Sequence, residues 1–247
     1  MNLLFWKKYH KDAIPEYLAK HYWWAYVCPF SIWFWDHQPL VNMILFGQYR
    51  NLVNATLDCF AAIKPRKTLQ ISAVYGSITP DLAMQLDKSE FHLLDITPGQ
   101  LYSARRKLKL NARTEAQANH LTRMNATQLG YGDNSFDATL IFFLLHEMPP
   151  AVRRKILQEA IRVTEPEGHL IITEYGARTR NHFFHWFPPA RWILGFFEPF
   201  VPGFIEEDLD QILQEVAAAE GKQITRTEHK RFFKGFYRNN AYRIGKL

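Results

Sequence analysis

The chain has 247 residues, of which 47% are hydrophobic and 22% charged. That mix suits one large domain with a sizeable core and excludes a disordered chain. The formal net charge of +6 is compatible with anionic lipid or nucleic acid, but the basic residues are scattered apart from Arg105-Arg106-Lys107-Leu108-Lys109. That run reads as the solvated face of a helix, and no nucleic-acid partner is expected. Cys28 and Cys59 are far apart and lack CxxC spacing, which excludes a disulfide framework or a cysteine zinc site and favours a reducing, cytoplasmic compartment.

In chain order, residues 15–64 read as helices. Pro15-Glu16-Tyr17-Leu18 resembles a helix start, and Val41, Ile44, Leu45, Leu52, Val53 and Leu57 fall at helical spacing through 40–60. From Lys67 the pattern becomes alternating. Strands are expected at 68–74, 91–95, 121–125, 136–143 and 170–175, with helices at 79–86, 98–108 and 153–163 between them. Residues 180–215 interrupt this order with prolines, aromatics and an acidic helix. Two final strands, 223–229 and 236–244, are expected to pair antiparallel at one sheet edge. Strands alternating with helices predict an α/β fold with a doubly wound, mostly parallel sheet.

Aromatic residues make up 15% of the chain and cluster twice, at Tyr22-Trp23-Trp24-Ala25-Tyr26 through Trp35, and at Phe183-Phe184-His185-Trp186-Phe187 through Phe204. Neither cluster holds an uncharged run long enough to span a bilayer, and residues 1–6 are too short for a signal peptide. Two readings stay open. The clusters are core, or they form a surface or pocket for an apolar ligand near a membrane.

In an open α/β sheet, ligands bind beyond the carboxyl ends of the strands, so the informative residues follow each strand. They are Ser72 to Gly76, then Asp95-Ile96, Asn125-Ala126, Leu144-Leu145-His146-Glu147, and Glu174-Tyr175. A carboxylate at Asp95 can accept hydrogen bonds from both hydroxyls of a cofactor ribose, or serve the N-terminus of the following helix. His146 and Glu147 can act as acid and base or hold a divalent ion; structurally, they would fix the loop and cap the next helix. Adjacent residues of an extended segment point opposite ways, so one of the two is expected in the site. Tyr75 is bulky for such a turn, and either touches a ligand or fills volume. Glu174 and Tyr175 carry a similar split. His182 and His185, inside an aromatic segment, read as packed or solvated rather than metal-bound.

This series of strand ends resembles the class I S-adenosylmethionine-dependent methyltransferase family over about residues 65–175. The resemblance implies a seven-stranded sheet, with 1–64 as an N-terminal helical segment, 65–175 as the cofactor-binding core, 176–222 as an aromatic lid insertion and 223–247 as C-terminal strands. It places Gln70, Ala73, Tyr75 and Gly76 in the cofactor loop and Asp95-Ile96 at the ribose. Asn125-Ala126 would lie beside the adenine, and Phe143-Leu144 with His146-Glu147 in the fourth-strand motif. The family's loop carries an acid where Gln70 stands and glycines where Ser72 and Val74 stand; only Gly76 fits, which implies a reshaped pocket.

A narrower set of segments is Trp24-Ala25-Tyr26, Asp36-His37, Ile44-Leu45-Phe46-Gly47, Ala73-Val74-Tyr75-Gly76-Ser77, Phe142 to Pro149 and Glu198-Pro199-Phe200. These resemble the rhodoquinone-biosynthesis family, RquA. That resemblance implies replacement of a ubiquinone methoxy group by an amino group, with S-adenosylmethionine as amino donor and manganese required. An apolar quinone is the implied substrate, and the strand-end residues Tyr75, His146, Glu147 and Tyr175 are the candidate reactive set. Peripheral contact with the cytoplasmic face of the inner membrane goes with such a substrate. An ordinary methyltransferase acting on a quinone precursor, and a non-catalytic membrane-associated binding protein, are the alternatives.

Overall fold

The computed structural model describes residues 14–86, 89–110, 119–180 and 182–247; the segment 1–6 lies outside them. Five helices open the described chain: α1 (Glu16–His21), α2 (Trp23–Tyr26), α3 (Pro29–Trp35), α4 (Gln38–Ile44) and α5 (Tyr49–Ile63). The helical spacing from 40 to 60 belongs to two helices rather than one. Phe46 and Gly47 both take positive φ, and the Gly47 N–H closes the end of α4 on the Asn42 carbonyl at 2.8 Å. Beyond that break, α5 buries Leu52, Val53, Thr56, Cys59 and Phe60 along one face.

The sheet follows. It contains β1 (Lys67–Ile71), β2 (Glu90–Asp95), β3 (Asn119–Arg123), β4 (Phe136–Phe142), β5 (Thr164–Tyr175), β6 (Lys222–Phe232) and β7 (Tyr237–Lys246), in the spatial order β3-β2-β1-β4-β5-β7-β6. β3, β2, β1, β4 and β5 run parallel, and β7 inserts antiparallel between β5 and β6. The doubly wound, mostly parallel seven-stranded sheet expected from the pattern is therefore present. β3 starts two residues earlier than expected. β5 starts at Thr164 rather than 170, because the chain bulges between the Phe136–Thr164 and Ala138–His169 pairs, with Glu167 at positive φ.

Connecting helices α6 (Ile78–Gln85), α7 (Pro98–Lys109) and α8 (Pro150–Val163) cover the sheet. β4 is central, and Phe136, Ala138, Leu140 and Ile141 are fully buried. Each such Leu or Ile contributes about 1.5–3 kcal/mol by leaving water. After β5 come α9 (Phe183–Trp186), α10 (Pro188–Phe197), α11 (Val201–Phe204) and α12 (Leu209–Ala219). α12 packs on α8 and β6, and Asp208 caps it by accepting from the Asp210 and Gln211 N–H groups. Strand order reverses between β1 and β4, so a crevice opens at their carboxyl ends. The N-terminal helices and the 183–204 segment border it.

Candidate functional site

The turn after β1 is held from several sides. Gly76 has φ +83°, and a Cβ there would clash with the Tyr49 ring, so glycine is required. Tyr49 Oη accepts from the Ser77 and Ile78 N–H groups at the start of α6. Asp36 Oδ1 accepts from Gly76 N at 2.8 Å and from Lys107 Nζ at 2.9 Å, and Lys107 also donates to the Val74 and Gly76 carbonyls. Gln70 is fully buried and donates to the Ser72 carbonyl and Thr79 Oγ1, which ties the turn to α6. Gln70 and Gly76 thus build the turn, and Gly76 also borders an open groove with Asp36, Ser77 and Lys107.

Asp95 ends β2 with its carboxylate fully used. Oδ2 accepts from Ser72 Oγ and Ala73 N, and Oδ1 from the Thr97 N–H and hydroxyl, all at 2.7–2.9 Å. Burial raises its pKa despite these bonds. Thr97, not Asp95, sits at the cap position of α7. Beside Asp95 is a cleft of about 60 Å³ lined by Ala73, Ile96, Leu144 and Glu147 and closed by Tyr17, Leu18 and Tyr26. The chemistry of this donor set suits a ribose, but the volume is well below the roughly 300 Å³ at which ligand pockets begin. A ribose could enter here only if the Tyr17–Leu18 cover moved and Ser72 or Thr97 yielded a bond.

The ends of β4 and β5 assemble a different kind of site. Residues 145–147 form a 3₁₀ turn rather than an extended segment, so His146 and Glu147 both face the crevice, where one was expected. Glu174 accepts from His146 Nδ1 at 2.7 Å and from the Leu145, His146 and Tyr175 N–H groups. Arg153, itself buried, holds the back of the turn through the Leu145 and Met148 carbonyls. Because ionised Glu174 only accepts, Nδ1 is the donor. Nε2 then faces Glu147 Oε1 at 3.9 Å and Glu198 Oε2 at 4.0 Å, too far for hydrogen bonds. Tyr26 donates to Glu147 and Tyr22 to Glu198.

Electrostatics follow from burial. Burial alone would raise Glu174, yet the His146 charge and its hydrogen bonds hold it below the usual range. Burial opposes the charged form of His146, but Glu174 outweighs it and lifts the imidazole to about 9. Glu147 is pushed up to about 8, first by burial and then by Glu198, with His146 opposing; burial likewise raises Glu198.

This cluster forms the polar end of an apolar chamber of about 450 Å³. Trp24, Trp35, Phe46, Phe142, Phe143 and Phe184 supply much of its wall, together with Tyr75 and Tyr175. Tyr75 stacks on Tyr26 and donates to the Ala25 carbonyl at 2.5 Å, so the phenol fastens α2 over the turn as well as lining the chamber. Both aromatic segments therefore contribute wall, and both also expose rings outside it: Phe30, Trp186, Trp192 and Phe196 are each more than half exposed, and Trp33 is 49% exposed.

The predicted residues divide accordingly. Ala73, Asp95, Ile96 and Leu144 line the small cleft. Tyr75, Phe143, His146 and Tyr175 line the chamber, and Glu147 lines both. Asn125 and Ala126 line neither; Asn125 is exposed and turns its side chain back on Thr127. His182 and His185 are buried among Phe183, Phe184, Phe233 and Phe236, and burial lowers both, His185 to about 4. In the sequence, Tyr22 and Tyr26 belong to an aromatic cluster that suits either core or an apolar pocket, and nothing marks them or Glu198 as partners of His146 and Glu147. Glu198-Pro199-Phe200 and Trp24-Ala25-Tyr26 were visible as segments, but nothing local places them beside His146.

Residues 69–172 match the family described as Methyltransferase domain. The ubiquinone/menaquinone biosynthesis C-methyltransferase UbiE of Pasteurella multocida is 30% identical over 135 residues, 54% of this chain and 49% of that protein. A demethylmenaquinone methyltransferase of Beutenbergia cavernae is 32% identical over 137 residues, 55% of this chain and 52% of that protein. The matches thus span about half the length of these curated relatives. Among solved structures, the N-methyltransferase NodS of Bradyrhizobium japonicum, in complex with S-adenosyl-L-homocysteine, superposes with a TM-score of 0.57 at 15% identity, covering 85% of this chain and 90% of that one. The fold is that of the class I methyltransferases.

Proposed function

We propose that this chain is an S-adenosylmethionine-dependent transferase that acts on the ring of a quinone or quinone precursor. The observation that carries the reading is the junction at Glu147, where the Asp95 cleft meets an apolar chamber with a polar end. The curated relatives, named as quinone-pathway methyltransferases, support methyl transfer. S-adenosylmethionine supplies an electrophilic methyl group when bound. Asp95 would hold the ribose, and the aromatic wall would orient the substrate ring and exclude water. Glu147, next to that ring, would in its ionised form, the minor one at neutral pH, take the proton released as the new bond forms, with His146 steadying its charge.

A second reading, exchange of a methoxy group for an amino group as in RquA, is favoured by the Gln70, Ser72, Val74 and Tyr75 departures and by the acid cluster. It brings manganese with it. The donors are of the right kind for such a cation but are not gathered around one: His146 Nε2, which must first lose its proton, lies 3.9 and 4.0 Å from two carboxylates, while Glu174 fixes the ring from behind. His146, Glu147 and Glu198 would hold the ion, which would supply Lewis acidity toward a quinone oxygen. Glu90, His92 and His120 bring their ligand atoms within 4.8 Å of one another, but they lie on β2 and β3 away from the crevice, and Lys67 already pairs with Glu90.

Mass analysis of ubiquinone and demethylated quinones incubated with the pure protein and S-adenosylmethionine, with and without manganese, separates the readings. Methyl gain raises the product mass and methoxy-to-amine exchange lowers it. Unchanged quinones, together with no S-adenosylmethionine binding that Asp95→Ala abolishes, would leave a binding protein. Loss of bound manganese in His146→Ala, read by paramagnetic resonance, tests the ion independently of turnover.

We also propose peripheral attachment to the cytoplasmic face of the inner membrane. No helix among the described residues is long and apolar enough to cross a membrane. The exposed rings of α3 and α10 flank elements that wall the chamber, so a bilayer could deliver an apolar substrate directly. Trp192→Ala with Phe196→Ala is expected to reduce co-sedimentation with liposomes; unchanged sedimentation would refute this face as the contact.

A further inference from the structure

A third cavity, of about 920 Å³, lies between the segment after β5, the link from α11 to α12, and the paired strands β6 and β7, with Trp186 of α9 at its border. Five arginines line it, Arg178, Arg180, Arg226, Arg231 and Arg238, against four carboxylates. Each carboxylate already has a partner. Glu206 accepts from Arg178 at 2.9 Å, and Glu207 pairs with Arg153. Asp208 caps α12 through the Asp210 and Gln211 N–H groups at 3.0 and 3.1 Å. Asp210 pairs with Arg226 and accepts from the Tyr242 hydroxyl. Arg180, Arg231 and Arg238 form no ion pair within 4 Å among the described residues, although Glu174, Asp210 and Asp208 act on Arg238 from farther away.

Arg238 decides the matter. It sits on β7 opposite Glu174, is only 6% exposed, and its Nε and Nη2 have no hydrogen-bond partner. Its guanidinium lies 5.6 Å from the Phe204 ring, which shields it without accepting a hydrogen bond in the plane of the fork. A buried charged donor left unpaired is unfavourable, and natural structures rarely keep one without a role. A guanidinium fork matches the paired oxygens of a phosphate; Asp208 has only backbone partners, so three forks against its one charge leave an excess of about two, which a phosphate can neutralise and one carboxylate ligand cannot.

We propose that this cavity binds a phosphate group, with Arg238 at its base and Arg180 and Arg231 completing the site. The ligand is a phosphate ester, either a phospholipid headgroup or a soluble one. The half-exposed Trp186 at the border places the cavity beside an apolar face that suits a bilayer. This site does not depend on the transfer reaction.

The test is calorimetry of the full chain with inorganic phosphate and with glycerol phosphate, alongside sedimentation with phosphatidylcholine vesicles that contain or lack phosphatidylglycerol. Saturable binding of one phosphate per chain is expected, weakened about tenfold or more, equivalent to about 1.4 kcal/mol, in Arg238→Met. The pair Arg180→Gln with Arg231→Gln alters only the outer arginines, so its weaker binding is read on a folded protein even if Arg238→Met fails to fold. Phosphatidylglycerol-dependent sedimentation lost in these variants assigns the lipid source; phosphate binding without it assigns a soluble ester. Absence of saturable binding to any of these probes, or variants that bind like the parent, would overturn the proposal.

Discussion

The turn after β1 and the ends of β4 and β5 lie on the same edge of the sheet, and they handle buried polarity in opposite ways. In the turn, Asp36, Lys107, Tyr49 and Asp95 each find backbone or side-chain partners at hydrogen-bonding distance. At the strand ends, three carboxylates surround one imidazole, Glu174 takes one ring nitrogen, and the other faces the chamber without a bond. Fully partnered polar groups make a rigid frame, whereas partly partnered ones leave capacity for a ligand or a proton. The first region positions; the second is equipped to react.

This contrast breaks most readily at Glu174. Glu174→Ala leaves His146 buried with no counter-charge at Nδ1 and strands three N–H groups, so a loss of about 3–5 kcal/mol is expected in urea unfolding. A loss below about 1 kcal/mol would mean that the cluster is not coupled as its geometry implies. Asp36→Ala tests the frame in the same way, because Lys107 would stay buried without its carboxylate. About 3 kcal/mol is expected, the lower end of the range for broken buried pairs, since two carbonyls still accept from the ammonium. If S-adenosylmethionine binding survived while stability fell, the turn would not be part of the cofactor site.

Smaller changes sharpen the comparison. Gly76→Ala forces a side chain into the left-handed region and onto the Tyr49 ring, with about 1–3 kcal/mol expected from the backbone alone. An unchanged melting temperature would show that Tyr49 and the turn relax freely. Tyr75→Phe keeps the ring stacked on Tyr26 and removes the hydroxyl's bond to the Ala25 carbonyl together with its interaction with Gln100, so about 1 kcal/mol is expected. Equal losses in Tyr75→Phe and Tyr75→Ala would show that the hydroxyl, not the ring, fastens α2.

Much of the frame was legible in the amino-acid order. The apolar run from Leu140 to Phe143 suits a strand buried on both faces, and the amphipathic stretches such as 153–163 suit the helices between strands. Asp95 at a strand end and Gly76 in a tight turn follow from the same local grammar. The break at Phe46-Gly47 was missed because apolar spacing continues across it. The bulge that starts β5 early was missed because a glycine normally ends a strand rather than sitting inside one.

By itself, the sequence determined the order of strands and helices, the edge of the sheet at which chemistry belongs, and the residues presented there. Only the tertiary structure decided which of them meet. Glu198 comes from beyond α10, Tyr22 and Tyr26 from the first helices, and Glu174 from β5, and each reaches the His146 cluster across distant sequence. Periodicity reports which face of an element is apolar, but not which distant element packs against it. Hydrogen-bond partners and buried charge are properties of that packing, so the His146 cluster and the buried Arg238 appear only once the chain is folded.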